Sequence, residues 1–236
     1  MPFLLLLLIS TSQAQEPIVV DRPSVGTGSS VVSKGTVQLE AGLQLDSDPA
    51  VSCDDCLASI TNASYSLPTM LRLGLHERFE MRYYSSIIVV DKDVQALEDV
   101  GLQGKIPLYA PEDKSLSLSL LASAELDIDN GGGGATMLLD FWGEKWSGWV
   151  NLGNTTAYED ASTSFIIIEG FGIPLPNNQG IFIENTTSFD QGDISSSMEG
   201  GFYKTYENFQ WDVYALSSVT ERNSWQIATG FAWRIP

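Results

Sequence analysis

Bulky and small side chains alternate along the last segment of the chain. From Trp225 to Ile235 one set of alternate positions holds Trp225, Ile227, Thr229, Phe231, Trp233 and Ile235; the other holds Gln226, Ala228, Gly230, Ala232 and Arg234. A period of two puts each set on its own face of a β-strand. The same rhythm runs through TVQLEAGLQLD (36–46), where Val37, Leu39, Ala41, Leu43 and Leu45 oppose Gln38, Glu40, Gly42, Gln44 and Asp46. Twelve such segments are predicted: 36–46, 62–75, 79–90, 99–110, 115–128, 135–143, 147–158, 164–175, 180–190, 196–206, 210–219 and 225–235. Two are less clean: 164–175 contains a solid apolar run, and Lys204 falls beside Phe202. No stretch keeps the 3.6-residue period of an amphipathic helix, so almost no helix is predicted.

The connections differ at the two ends. Those near 76–78, 111–114, 144–146, 176–179 and 207–209 are short turns; those at 47–61, 91–98, 129–134, 159–163, 191–195 and 220–224 form the opposite set. An even number of antiparallel strands returns both termini to one side and closes without an open edge. Two orientations then compete. A soluble sandwich or lipocalin-like barrel turns its apolar faces inward; a membrane barrel turns them to lipid and encloses the polar ones.

Composition and charge favour the second. Only 18% of the residues are charged, against about 25–35% on a well-solvated surface. The polar faces carry few ions, of both signs: Glu40, Arg72, Glu80, Arg82, Lys105, Glu125, Asp127 and Arg234. Aromatic residues gather near the short turns (Phe79, Tyr109, Phe141, Trp142, Trp146, Trp149, Tyr206, Phe209, Trp211 and Trp233), where an interfacial girdle would hold them. The apolar run FLLLLLI at 3–9, followed by Ser12 and Ala14 before Gln15, resembles a secretory signal peptide and is too short to span a bilayer. The expected organisation is a signal peptide at 1–14, a periplasmic or lumen-entering segment at 15–35, and at 36–236 a single all-β, up-and-down antiparallel transmembrane β-barrel of about 12 strands. A net charge of −18 argues against nucleic acid as a partner.

DRPSVGTGSSVVSKGTVQLEAGLQ (21–44), LPTMLRLGLHERFEMRYY (67–84) and GLQGKIPL (101–108) together resemble the MetA-pathway phenol-degradation family of Gram-negative outer-membrane barrels, often labelled transporters. The matching pieces are Asp21-Arg22-Pro23, Ser33-Lys34-Gly35, Pro68, Leu71 to Leu75, and Phe79 to Arg82, within about the first third of the mature chain. The resemblance implies a barrel of this size with an uptake or channel role for small, often hydrophobic molecules. Many outer-membrane barrels end on an aromatic residue read by the assembly machinery; here the last residue is Pro236, so that recognition would rest on Phe231 and Trp233.

The candidate chemistry lies on the polar faces. Arg72 and Arg82 flank the His76-Glu77-Arg78 turn, with Glu80 and Glu40 on the same face. They read either as a charged constriction that orients or screens solutes or as an ion-pair ladder holding strands in register. Asp21 and Arg22 precede a Gly/Ser-rich stretch that either enters the lumen and pairs with wall charges or forms a loose lead-in. Cys53 and Cys56, two cysteines in an exported chain, are expected to form a disulfide in the first outer loop. A metal site there has no histidine nearby, and none is expected. No catalytic set is recognised, because the single histidine, His76, falls in a turn. DNGGGG lacks the Lys-Ser/Thr and the helix of a phosphate loop. No cofactor is expected, and the partners are outer-membrane lipid, the assembly machinery and a small solute. The leading expectation is passive passage of small solutes; the alternative is a non-conducting structural or adhesive barrel.

Overall fold

The computed structural model describes residues 18, 20–21, 26–47, 64–90, 93–112, 115–126, 131–157, 162–220 and 224–235. Residues 1–14, expected above to be a signal peptide, and Arg22, Cys53 and Cys56 lie outside the described residues. The strands are β1 (Val37–Asp46), β2 (Ser64–Ser66), β3 (Thr69–His76), β4 (Phe79–Val90), β5 (Asp93–Tyr109), β6 (Leu116–Glu125), β7 (Gly132–Trp142), β8 (Ser147–Ala157), β9 (Thr163–Leu175), β10 (Gln179–Asp190), β11 (Asp193–Thr205), β12 (Phe209–Ser218) and β13 (Trp225–Ile235). Strands β2 and β3 lie end to end between β1 and β4, so thirteen elements fill twelve positions. Each neighbour is antiparallel, and β13 pairs with β1 from Val37↔Ile235 to Asp46↔Gln226. The sheet therefore closes, and every strand has a partner on both sides.

Departures from the expected strands have local causes. The segment expected at 62–75 breaks at Leu67-Pro68, because proline has no N–H to extend the ladder; its carbonyl still accepts from Gly42 N at 3.0 Å. Residues 93–98, read above as an outer loop, belong to β5. Register shifts between Tyr84 and Ser86 and between Ile87 and Ile88 interrupt the alternation there. The expected loop at 191–195 is a two-residue turn at Gln191 and Gly192, with φ of 48° and 98°. Asn177 and Asn178, at 63° and 56°, make a similar turn at the other end. Gly132 to Gly134 begin β7 rather than a loop tip.

Register settles which side is oil. Gln38, Glu40, Arg72, Glu80, Arg82 and Lys105 are buried inside, while Leu43, Leu102, Leu120, Leu152, Ile183, Ile227 and Trp233 stand exposed on the outer wall. Glu40 is 2% exposed and Trp233 42%, the reverse of a soluble barrel. At the short-turn end the outer wall carries stacked or tilted ring pairs: Trp146–Phe171, Phe209–Phe231 and Tyr206–Phe209, with Phe202–Trp211 edge-on. Lys204 faces outward here and places its ammonium 5.5 Å from the centre of the Tyr206 ring, so its charge reaches the interface along an aromatic face. Trp142 and Trp149 correct the girdle assignment. Register puts both on the inner face, opposite Ser147 and Asp140; aromatic character alone carries no information about side.

Candidate functional site

The inner charge cluster follows from strand pairing. Arg72 lies directly opposite Arg82 on the β3–β4 pair, and Glu80 opposite Lys105 on the β4–β5 pair. Two guanidinium groups facing each other repel, and both are fully buried. Carboxylates fill the space between them. Arg72 grips Glu80 with Nε at 2.8 Å and Nη2 at 3.0 Å, and donates through Nη1 to Glu40 at 2.8 Å. Arg82 Nε reaches the same Glu80 oxygen at 2.5 Å. Gln38 steadies Glu40 from its own strand at 2.8 Å.

A third carboxylate comes from outside the wall. Asp21 forms a salt bridge with Arg82 and lies 3.5 Å from both Arg72 and Lys105. Burial works to raise its pKa, but the three cations outweigh that and hold it below the ordinary carboxylate range.

Residues 26–34 carry the chain across the lumen toward β1. Val32 N donates to Glu80 at 2.7 Å; Ser29 N and Oγ donate to Asp140 at 2.7 and 2.8 Å; Gly26 N donates to both Glu184 oxygens at 2.9 and 3.1 Å. Lys105 Nζ donates to the carbonyls of Gly28 and Ser30 at 2.7 and 2.8 Å, Ser119 to that of Ser29 at 2.5 Å, and Asn151 to that of Thr27 at 3.1 Å. Trp149 Nε1 donates to Glu184 at 2.6 Å. The segment thus bridges β4 to β10, and wall side chains replace the water its backbone would otherwise bind. Gly35, at φ +79°, turns the chain into β1, where its N donates to Gly74 O at 2.7 Å. Gly74 permits that approach: a Cβ there would lie 2.0 Å from the Ser33 carbonyl oxygen.

Glu40, Arg72, Glu80, Arg82 and Asp21 therefore meet in one network. Lys105, Asp140, Asn151, Trp149 and Glu184 complete the contacts but were absent from the sequence candidates. Lys105 was named above only as a polar-face ion and Trp149 only as a girdle ring; the path of residues 26–32 is what picks out all five. His76 stays in its turn, accepting from Arg78 N at 3.2 Å, apart from this network.

Two cavities open on the inner wall, one of them beside the crossing segment. One of about 430 Å³ lies toward the longer loops and is bordered by Gln44, Asp46, Ser66, Met70, Tyr84 and Gln103. The other, about 410 Å³, lies between residues 18, 20–21 and 26–30 and the β7–β12 wall, bordered by Ile18, Asp140, Trp142, Trp149, Phe182 and Tyr203. Bulky rings keep close to the wall: Trp149, Tyr203, Phe182 and Tyr84 face Gly170, Gly180, Gly201 and Gly101 directly across strand pairs.

A closed barrel with an apolar exterior, a charged interior and an inserted N-terminal segment has the form of a membrane-spanning β-barrel. Solved structures agree on the fold. The chain is similar to the COG4313 outer membrane channel from Pseudomonas putida F1, with a TM-score of 0.67 at 10% identity over 91% of this chain and 100% of that one. It is also similar to the KdgM porin (TM-score 0.58, 9% identity, 84% and 99% covered) and the NanC porin (0.60, 6% identity, 84% and 100%). No family profile matches the sequence, and no curated protein matches it.

Proposed function

We propose that the barrel passes small hydrophobic or aromatic solutes across the outer membrane, with the N-terminal segment as the element that must yield. The observation that carries this reading is the segment's path across the lumen, with a cavity beside it. The cavity beside it is faced by Trp149, Phe182 and Tyr203, rings suited to a small apolar or aromatic guest. Asp140, bordering the same cavity, has its Oδ1 buried without a hydrogen-bond partner among the described residues; it would accept from a hydroxyl on such a guest. The arginines serve first to hold Asp21, so ion screening is secondary to docking the segment.

The test compares the full chain with one in which the export signal is joined directly to Thr36. In planar bilayers and vesicle flux assays, the full chain is expected to conduct weakly and the shortened chain several-fold better, with phenol-sized solutes admitted. If neither chain conducts or takes up solute, the transport reading fails and a structural barrel remains.

A further inference from the structure

Glu169 stands on the lipid side of the wall. Register sends the odd residues of β9 outward, so Glu169 is flanked on that face by Phe171, Ile173 and Leu175 toward the short-turn end and by Ile167, Phe165 and Thr163 toward the other. It is exposed. Among the outward-facing strand residues whose side chains are described, it is the single carboxylate. Hydrocarbon offers it no donor, and ionisable groups at such depth normally face protein or water.

Its neighbour on β10, directly opposite in register, is Asn185. The Asn185 amide donates through Nδ2 to Thr187 Oγ1 at 3.2 Å and accepts through Oδ1 from Ser196 Oγ at 3.2 Å. An amide nitrogen carries two hydrogens, so one remains for a second acceptor.

We propose that this face of β9 and β10 is the contact between two copies of this chain, related by a two-fold axis along the membrane normal that passes between Glu169 and Asn185. Such an axis exchanges left and right at constant depth. Each Glu169 then meets Asn185 of the second copy and accepts its remaining N–H, and the contact is made twice. Phe165 and Phe189, and Phe171 and Ile183, form the apolar rows on either side of this pair. A groove of about 610 Å³ bordered by Leu152, Phe165, Ile167 and Phe189 lies on this face, where aromatic rings of the second copy would enter. An acyl chain could fill the groove but has nothing to donate to the carboxyl group.

The test uses the full chain carrying Cys53→Ser and Cys56→Ser, reconstituted in phospholipid vesicles. Ile167→Cys is expected to cross-link into a covalent dimer on oxidation, at least tenfold more than Leu71→Cys on the far wall. Glu169→Leu should lower the dimer fraction at least tenfold while the barrel still migrates as a folded species on unheated gels; Glu169→Gln, which keeps an acceptor, should retain it. Equal cross-linking at both positions, or an undiminished dimer in Glu169→Leu, would overturn the proposal.

Discussion

Asp21 docks the N-terminal segment by meeting three cations that the barrel wall has already buried. Removing one partner from a buried ionic network leaves the others uncompensated, at a cost of about 3–5 kcal/mol. Asp21→Asn is therefore expected to loosen the N-terminal segment while the strands remain paired, seen as more frequent large openings in planar bilayers. Unchanged conductance would show that the backbone hydrogen bonds suffice alone. The pH dependence has a definite sign. The folded pKa of Asp21 lies below the ordinary value of 3.8, so its contribution is fully present above about pH 4 and fades as pH falls through the lower folded value. The part of the closure that depends on Asp21 should be lost only below about pH 4, so the difference in conductance between the parent and Asp21→Asn should narrow there.

Between elements, the fit of the segment against β3 depends on one missing side chain. Gly74 lies against the Ser33 carbonyl, and a β-branched residue there would collide with main chain on the segment. Gly74→Val is expected to leave the β3–β4 ladder in place and to displace residues 32–34. With Cys53 and Cys56 replaced by serine, a cysteine introduced at Ser30 should then react with a membrane-impermeant thiol reagent at least several-fold faster than in the parent; equal rates would place the constraint elsewhere. The wall has its own irregularity at Pro68, where β2 gives way to β3. That break borders the cavity nearer the longer loops, together with Thr69 and Ser85. Polar side chains on the outer wall and a missing ladder bond thus coincide at one place.

At the scale of the molecule, closure is what allows a chain with so little charge to expose so much apolar surface. The β1–β13 register supplies the partners that an open sheet would leave facing hydrocarbon. Such a ladder resists detergent, so the unheated protein is expected to migrate faster on a denaturing gel than the boiled one and to fractionate with outer membranes. Identical migration before and after boiling would contradict a closed barrel. Closure also brings Gly26 and Glu184, 158 residues apart in the chain, into hydrogen bonding.

The alternation of side chains by itself determined the strand class, nearly all strand positions and, once lipid was assigned to one face, the side on which each regular residue sits. That information is local: a period of two needs only neighbouring residues. It failed where local order was interrupted, at Pro68 and through the bulged start of β5, and it misplaced Trp142 and Trp149 because a ring suits an interface and a lumen equally. The polar-face position of Glu40, Arg72, Glu80 and Arg82 was legible in the same way. Only the tertiary structure decided that Asp21 completes their charge balance and that Lys105, Asp140 and Glu184 hold the crossing segment. Those partnerships depend on the registers accumulated around twelve strand positions and on a backbone path that leaves no periodic trace in the sequence.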